Sequence, residues 1–164
     1  MGLALSQPTM AEVGKGDLEM GLDATLTFFE SDLLDVGGGF GLRGGYQFTD
    51  LFELEGQVSL SISVASIDTN LGTAFVNGVF NFAPEKKFVP YVLVGVGRAD
   101  LDVEDNGKAY QVAGGVRTYG KRLGGRAEVW MIRDSSLDNS THVGLGLGVM
   151  IRLHRGNRTQ PTAD

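Results

Sequence analysis

Arginine and carboxylate side chains are the groups in this sequence best suited to chemistry inside an enclosed space. They fall within segments of alternating apolar and polar residues, and the set is Glu19, Asp23, Arg43, Glu53, Glu55, Arg98, Arg117, Arg126, Glu128 and Arg152. Arginine suits an enclosed ion pair because its planar guanidinium can engage a carboxylate through two hydrogen bonds. Such a set predicts either a fixed network of salt bridges or a charged gate that exchanges partners to open a thin water path. The fixed network is favoured because a broken pair would leave a buried charge uncompensated.

A second set of residue types points to catalysis. His142 follows Ser135, Ser136, Asp138 and Ser140 in one polar stretch, where a histidine can act as the base for a serine nucleophile. Loops are rich in serine and aspartate for reasons of turn geometry alone, however, and the spacing matches no hydrolase. We therefore predict no catalytic residues and no enzyme activity.

Two further clusters suggest phosphate or metal binding. The run of glycines at 37–39 and 41 could form a phosphate-binding loop, but no helix pattern and no Gly-Lys-Ser or Gly-Lys-Thr motif follows it. Acidic residues in two predicted loops could bind divalent cations, namely Glu30, Asp32, Asp35, Asp102, Glu104 and Asp105. Ordinary solvated loop charge is the simpler explanation for them. Because the chain also lacks cysteine, we predict no metal site and no cofactor.

Strict alternation of apolar and polar residues indicates the elements that position these groups. The pattern is clearest at 17–29, 52–64 and 143–153. Weaker candidates lie at 36–48, 71–82, 91–102, 109–119 and 123–133. Together these segments predict about eight strands of about 11 to 13 residues, much longer than the usual 5 to 6. At about 3.3 Å per residue and with a typical tilt, they would span an apolar band about 25 Å tall.

Alternation alone does not show which face lies inside a barrel. A soluble lipocalin-like barrel has the same pattern turned inside out. Every lysine falls outside the proposed strands, although a soluble barrel would display lysine on its outer face. Glycines share the faces of Arg43 and Arg152, where small residues would make room for long charged ones in a narrow lumen. Aromatic residues near the shorter turns predict an interfacial girdle, made of Tyr46, Phe48, Phe52, Phe80, Phe82, Phe88 and Tyr91.

Composition excludes several other classes. The 20 Asp and Glu residues against 14 Lys and Arg give a net charge of −6, which is the wrong sign for binding nucleic acid. No stretch approaches the run of about 20 apolar residues that a membrane-spanning helix needs, so a spanning structure must be a closed barrel. We predict one barrel domain at 17–153 and a polar tail at 154–164. The segment 1–16 is interpreted either as the remnant of a secretory signal or as an ordinary loose terminus.

Three segments carry a family resemblance: GLRGGYQFTD at 41–50, VPYVLVGVG at 89–97 and LGGRAEVW at 123–130. In these segments the chain resembles the small outer-membrane β-barrel domains of the OmpA and OmpX kind, including porin-like members. The resemblance implies an all-β fold, an eight-stranded antiparallel up-and-down transmembrane barrel integral to the outer membrane of a Gram-negative bacterium. It also implies both termini in the periplasm, and members commonly end the last strand with an aromatic residue. Here Leu153 precedes a polar tail instead.

The resemblance implies a non-enzymatic function. We predict a structural or surface-interaction function with at most a narrow pore, and the alternatives are a passive small-solute channel and a soluble lipocalin-like carrier of an apolar ligand. The expected partners are outer-membrane lipid and lipopolysaccharide, with further surface ligands bound through the loops. We expect the chain to be a monomer.

Overall fold

Eight β-strands form the part of the chain that this computed structural model describes. The described residues are 14–28, 36–63, 70–100, 107–120, 122–135 and 140–154. The strands are β1 (Leu18–Phe28), β2 (Val36–Gln47), β3 (Phe52–Ser63), β4 (Asn70–Asn81), β5 (Phe88–Asp100), β6 (Gly107–Tyr119), β7 (Leu123–Asp134) and β8 (Thr141–His154). Among these residues, no helix is both long and apolar enough to cross a membrane.

The strands close into an antiparallel barrel in which each pairs with the next and β8 pairs with β1. The predicted all-β, up-and-down, eight-stranded architecture is therefore confirmed. The largest difference from the predicted strand limits is at β5, which begins at Phe88 rather than at Tyr91. Pro90 reads as a break in the sequence, but near the start of a strand a proline costs only one ladder hydrogen bond. Its carbonyl accepts a hydrogen bond from the Phe82 N–H at 2.7 Å.

The register shows that the strands are tilted and staggered. Glu19 on β1 pairs with Gly45, and successive partners across the sheet lead to Ile132 and then to His142 on β8. The next residue of β8, Val143, pairs with Phe28 at the far end of β1. One circuit of the sheet thus climbs nearly the length of a strand, which is the stagger that closing a barrel requires. A barrel of this strand number has an interior that side chains can fill.

The connections divide between two ends of the barrel. The segments 48–51, 82–87 and 120–122 lie at the end where β1 begins and β8 finishes, which we name the turn end. The other four connections lie at the opposite end, which we name the loop end. At the turn end Gly16, with a φ of 86°, turns the chain beneath the barrel, and its N–H donates to the Gln47 carbonyl at 2.8 Å. This contact places Asp17 below the lumen.

The two faces of the sheet differ sharply in polarity. Outward positions carry Leu, Val, Ile, Met and Phe on all the strands, and Leu147, Phe40 and Leu22 are 68%, 63% and 62% exposed. Inward positions include Glu53 and Arg117, both buried. A contiguous apolar surface of this extent marks a membrane or protein contact rather than a water-facing wall. The polarity is the reverse of that expected for a soluble carrier with an apolar lumen.

Candidate functional site

An ion-pair network fills the half of the lumen nearer the turn end. We name it the lumen network, and its members are Asp23, Arg43, Glu53, Glu55, Arg117, Arg126 and Glu128. They come from β1, β2, β3, β6 and β7, because alternation turns every second residue of each strand inward. The tilt of the strands then brings residues far apart in sequence to one level. All of these side chains are buried.

Arg43 and Arg126 hold the network together from two sides. The Arg43 guanidinium pairs with Asp23 and with Glu128, and its Nη1 lies 3.2 Å from Glu55 Oε1. Arg126 lies 2.5 Å from Glu55 Oε2 through Nη1, and 2.9 Å from Glu128 Oε2 through Nη2. Two arginines therefore share the same two carboxylates. This sharing fixes four side chains from three strands in one layer.

Arg117 extends the network toward the turn end. It pairs with Glu53, and its Nη2 lies 3.8 Å from Glu55 Oε2. Glu55 thus faces three arginines, and it is the central carboxylate of the network. Asn77 adds a neutral donor, since its Nδ2 lies 3.3 Å from Glu55 Oε1.

Tyr91 lies inside the barrel, so its assignment to the aromatic girdle was wrong. β5 begins before Tyr91, and its inward set includes Val89, Tyr91 and Leu93. The phenol donates to Glu128 at 2.7 Å and accepts from Arg126 Nε at 2.6 Å. The Cζ atoms of Arg117 and Arg126 each lie 4.6 Å from the Tyr91 ring centroid, in cation–π geometry. Tyr91 is thus an internal residue that contacts two arginines and one carboxylate of the lumen network.

A smaller group closes the turn end below the lumen network. Arg152 Nε lies 3.4 Å from Asp17 Oδ2 and 3.5 Å from Glu19 Oε1. The Tyr119 hydroxyl donates to Glu19 at 3.2 Å and accepts from Arg117 Nη1 at 3.3 Å, which links the two groups. Sequence reasoning missed the roles of Asp17 and Tyr119 in this group. Tyr119 follows Arg117 by two residues on β6, so the two side chains share one face of the strand. This spacing was the signal that could have shown that Tyr119 faces inward.

Arg98 is the one member of the predicted charge set that the structure places outside the lumen. On β5 the inward positions are odd-numbered, as at Val89, Leu93 and Ala99, so Arg98 faces outward and is exposed. The prediction that it joins the internal charges was wrong. Both faces of β5 are largely apolar, so the alternation does not show which residues of the strand face inward. The other predicted members all lie on the inner face.

Six of the predicted girdle residues lie on the outer face near the turn end. Tyr46, Phe48, Phe80, Phe82 and Phe88 are exposed and Phe52 is partly exposed. Successive rings contact one another, with centroid distances of 4.9 Å for Tyr46–Phe48, 6.3 Å for Phe48–Phe52 and 5.2 Å for Phe52–Phe80.

Above the lumen network, toward the loop end, the lumen changes character. An apolar cluster contributed by β4 to β7 lies along one side. It begins beside the lumen network, where Val79 pairs with Glu53 and Leu93, and it continues toward the loop end through Phe75, Trp130, Ile132 and Leu71. Hydroxyls line the other side, where Thr27 donates to Ser61 at 3.1 Å and Ser59 lies 2.6 Å from Thr73. This division could not be predicted from the sequence, because the inward face of β4 mixes apolar and polar residues and both faces of β5 are largely apolar. The half of the lumen nearer the loop end is therefore apolar on one side and polar on the other.

Little space remains beside the charged layer. A cavity between Glu19, Arg43, Glu53 and Met150 measures about 10 Å³, close to the minimum that holds one water molecule. Glycines supply the room for the long side chains. A Cβ on Gly45 would overlap the Glu53 carboxylate. Gly37, Gly39 and Gly41 lie within β2 rather than in a loop before a helix, so the structure gives no support to a phosphate-binding loop.

Of the serine, aspartate and histidine residues considered for catalysis, the structure describes Ser135, Ser140 and His142. His142 faces the lumen and is 4% exposed, whereas Ser135 is exposed and its hydroxyl donates to the Lys108 carbonyl at 2.8 Å. Ser136 and Asp138 lie outside the described residues, as do the acidic loop residues Glu30, Asp32, Asp35, Asp102, Glu104 and Asp105.

Comparisons with known proteins agree with this geometry. The family model described as "Outer membrane protein beta-barrel domain" matches residues 1–158. Neisserial surface protein A (NspA) is similar in structure, with a TM-score of 0.66 and 12% identity, over 84% of this chain and 96% of that one. The outer membrane protein OprG of Pseudomonas aeruginosa gives a TM-score of 0.59 and 14% identity, over 88% and 99%. The N-terminal β-barrel domain of OprF from the same organism gives 0.56 and 16%, over 85% and 100%. No curated protein matches the chain.

Proposed function

Because this chain belongs to the outer membrane protein β-barrel domain family, we propose that it is a structural barrel of the envelope whose lumen is closed to solutes. It is integral to the bacterial outer membrane, and the recognised resemblance to small outer-membrane barrels is correct. The observation that carries the proposal is the lumen network, in which three arginines are shared among four buried carboxylates. Family membership by itself does not distinguish a structural barrel from a channel.

Opening a water path through the network would require an arginine to leave several partners together. Arg43 contacts three carboxylates and Arg126 contacts two. A hydrogen bond to a charged group is worth about 1.5–3 kcal/mol, so such a movement would cost several kcal/mol unless new partners formed at the same time. The apolar cluster, which includes Phe75 and Trp130, offers no polar partners to a guanidinium displaced toward that side of the lumen. The lumen network and the apolar cluster therefore both favour a closed lumen.

The alternative of a passive channel rests on one feature of the same network. Glu55 and Glu128 each contact both Arg43 and Arg126, so an exchange of partners could pass through intermediates that keep some bonds. A catalytic function has no such support among the described residues, because His142 is buried in the lumen whereas Ser135 is exposed and its hydroxyl donates to the Lys108 carbonyl. We propose a non-enzymatic role, and conductance distinguishes the closed barrel from the channel.

Single-channel recording in planar bilayers tests the closed lumen. We expect the unaltered protein to give no resolved current steps, because the shared ion pairs of the lumen network hold its side chains across the lumen. The charge-neutral double variant Arg43→Ala with Glu128→Ala removes a cation and an anion from the same layer, and we expect it to admit ions. Its control is Glu85→Ala with Lys87→Ala, which removes an exposed pair of charges from the turn at 82–87 and should stay silent. Steady current through the unaltered protein would contradict the proposal and favour the channel.

A further inference from the structure

Three basic side chains lie on the outer face of the barrel. Arg98, Lys108 and Arg133 are exposed, and we name them the basic cluster. Among the strand residues whose side chains the structure describes, every other outward-facing side chain is uncharged. Lys108 was expected outside the strands, but β6 begins at Gly107 and includes it. Among those described side chains, the charges on the outer face are therefore all positive, and they lie on β5, β6 and β7.

The register brings the basic cluster together at the loop end. Arg98 on β5 pairs directly with Lys108 on β6, and Tyr110 on β6 pairs with Arg133 on β7. Lys108 and Tyr110 are two residues apart and share one face, so Lys108 and Arg133 are diagonal neighbours, within reach of long side chains. Three cationic side chains on neighbouring strands create a site of positive potential, and an anion bound among them would reduce the repulsion between like charges.

The position of the basic cluster relative to the apolar belt indicates what the anion is. Toward the turn end, the same strands continue outward with apolar residues that include Val96, Val112 and Met131, all exposed. The cluster therefore lies at the border of the belt, where lysine and arginine stems can cover apolar surface while their charged heads reach the lipid headgroups. Tyr110, 53% exposed among the three cations, is also typical of this level.

The two borders of the belt differ, which argues against a general anchoring role for the cations. The turn-end border carries the aromatic girdle, and the strand positions there carry no outward charge in the described part of the chain. Barrels of this kind have their short turns in the periplasm, so the loop end faces the outside. The outer leaflet on that side is built from lipopolysaccharide, whose lipid anchor carries phosphate groups. Arginine and lysine are the side chains that bind phosphate most strongly, arginine through paired hydrogen bonds.

We propose that the basic cluster binds the phosphate groups of an outer-leaflet lipid against the wall formed by β5, β6 and β7. The apolar residues below it then contact the acyl chains of the same lipid, so headgroup and chains are held together. This site rests on the membrane placement of the barrel and not on the closed state of its lumen.

Native mass spectrometry of the protein released from nanodiscs tests the proposal. The nanodiscs contain phosphatidylcholine with a small fraction of either diphosphorylated or dephosphorylated lipid A. We expect the unaltered protein to retain the phosphorylated form at least about tenfold better, since each basic residue near charged lipid adds a favourable increment. The triple variant Arg98→Gln, Lys108→Gln, Arg133→Gln should lose this preference. Equal retention of the two lipids by the unaltered protein would overturn the proposal.

A matched control separates this site from a general effect of charge. The triple variant Lys86→Gln, Lys87→Gln, Arg122→Gln removes the same charge from exposed positions at the turn end and should keep the preference. A similar loss in both triple variants would overturn the proposal. Excess inorganic phosphate should not displace the lipid, and displacement would show a site for the free anion instead. The migration of unheated protein in gels verifies that each variant is folded, and bilayer conductance reports separately on the lumen.

Discussion

Replacing Arg43 with methionine is expected to lower the free energy of unfolding by about 3–5 kcal/mol, the usual result of removing one partner from a buried ion pair. The substitution leaves Asp23, Glu55 and Glu128 buried with one arginine fewer to compensate their charge. Equilibrium unfolding by guanidinium in phospholipid vesicles measures the change. The control is Arg122→Met, an exposed arginine in the turn at 120–122, which should change stability by no more than about 0.5 kcal/mol.

A second substitution shows whether the loss comes from unpaired charge. Adding Glu128→Gln to Arg43→Met removes one of the carboxylates that the arginine had compensated. We expect the double variant to be more stable than the sum of the two single effects predicts, by about 1–3 kcal/mol, because contacting residues of one network couple. An Arg43→Met variant as stable as Arg122→Met would show that the lumen network contributes nothing to the fold.

The outer face should tolerate charge only near its borders. Leu147, 68% exposed, lies near the middle of β8 between Ala24 and Ala127 on the neighbouring strands. Leu147→Arg is expected to cost about 2–4 kcal/mol of unfolding free energy in vesicles, the cost of arginine at the bilayer midplane. Leu153→Arg makes the same change near the turn end, where the cost should fall to about 0–1 kcal/mol.

Comparing these two variants shows whether the outer face of the barrel is surrounded by lipid or by water. In water, arginine at an exposed strand position usually changes stability by no more than about 0.5 kcal/mol, whatever its height on the barrel. Equal small effects at Leu147 and Leu153 would therefore contradict the assignment of the apolar face to the membrane.

Much of the fold could be predicted from the sequence because alternation constrains a two-faced strand strongly. In β1, β3 and β8 the two faces differ at nearly every position, so both the strand and its orientation follow from the pattern. In β4 and β5 the inward set itself includes Phe75, Val79 and Leu93, and the period disappears. The wrong assignments of Tyr91 and Arg98 both come from β5, where the sequence does not show which side chains face the lumen.

The partners within the lumen network could not be predicted for a different reason. Arg43 contacts Glu128, which lies 85 positions away in sequence, because the stagger of the closed sheet brings β2 and β7 to one height. The stagger depends on how all the strands pair, and no local pattern encodes it. Composition could predict that arginines and carboxylates lie inside together, but not that Glu55 would face three arginines while Arg152 joins Asp17 and Glu19.

The fluorescence of Trp130 tests the central claim most directly, because it is the only tryptophan in the chain and it lies inside the lumen, 5% exposed. We expect neither brominated lipid chains nor aqueous iodide to quench it appreciably in vesicles. In the variant Trp130→Phe with Val129→Trp, the tryptophan moves to the outward face, and brominated lipid should quench it strongly. Quenching of native Trp130 by brominated lipid would show that the faces are reversed, and quenching by iodide would show an open, water-filled lumen.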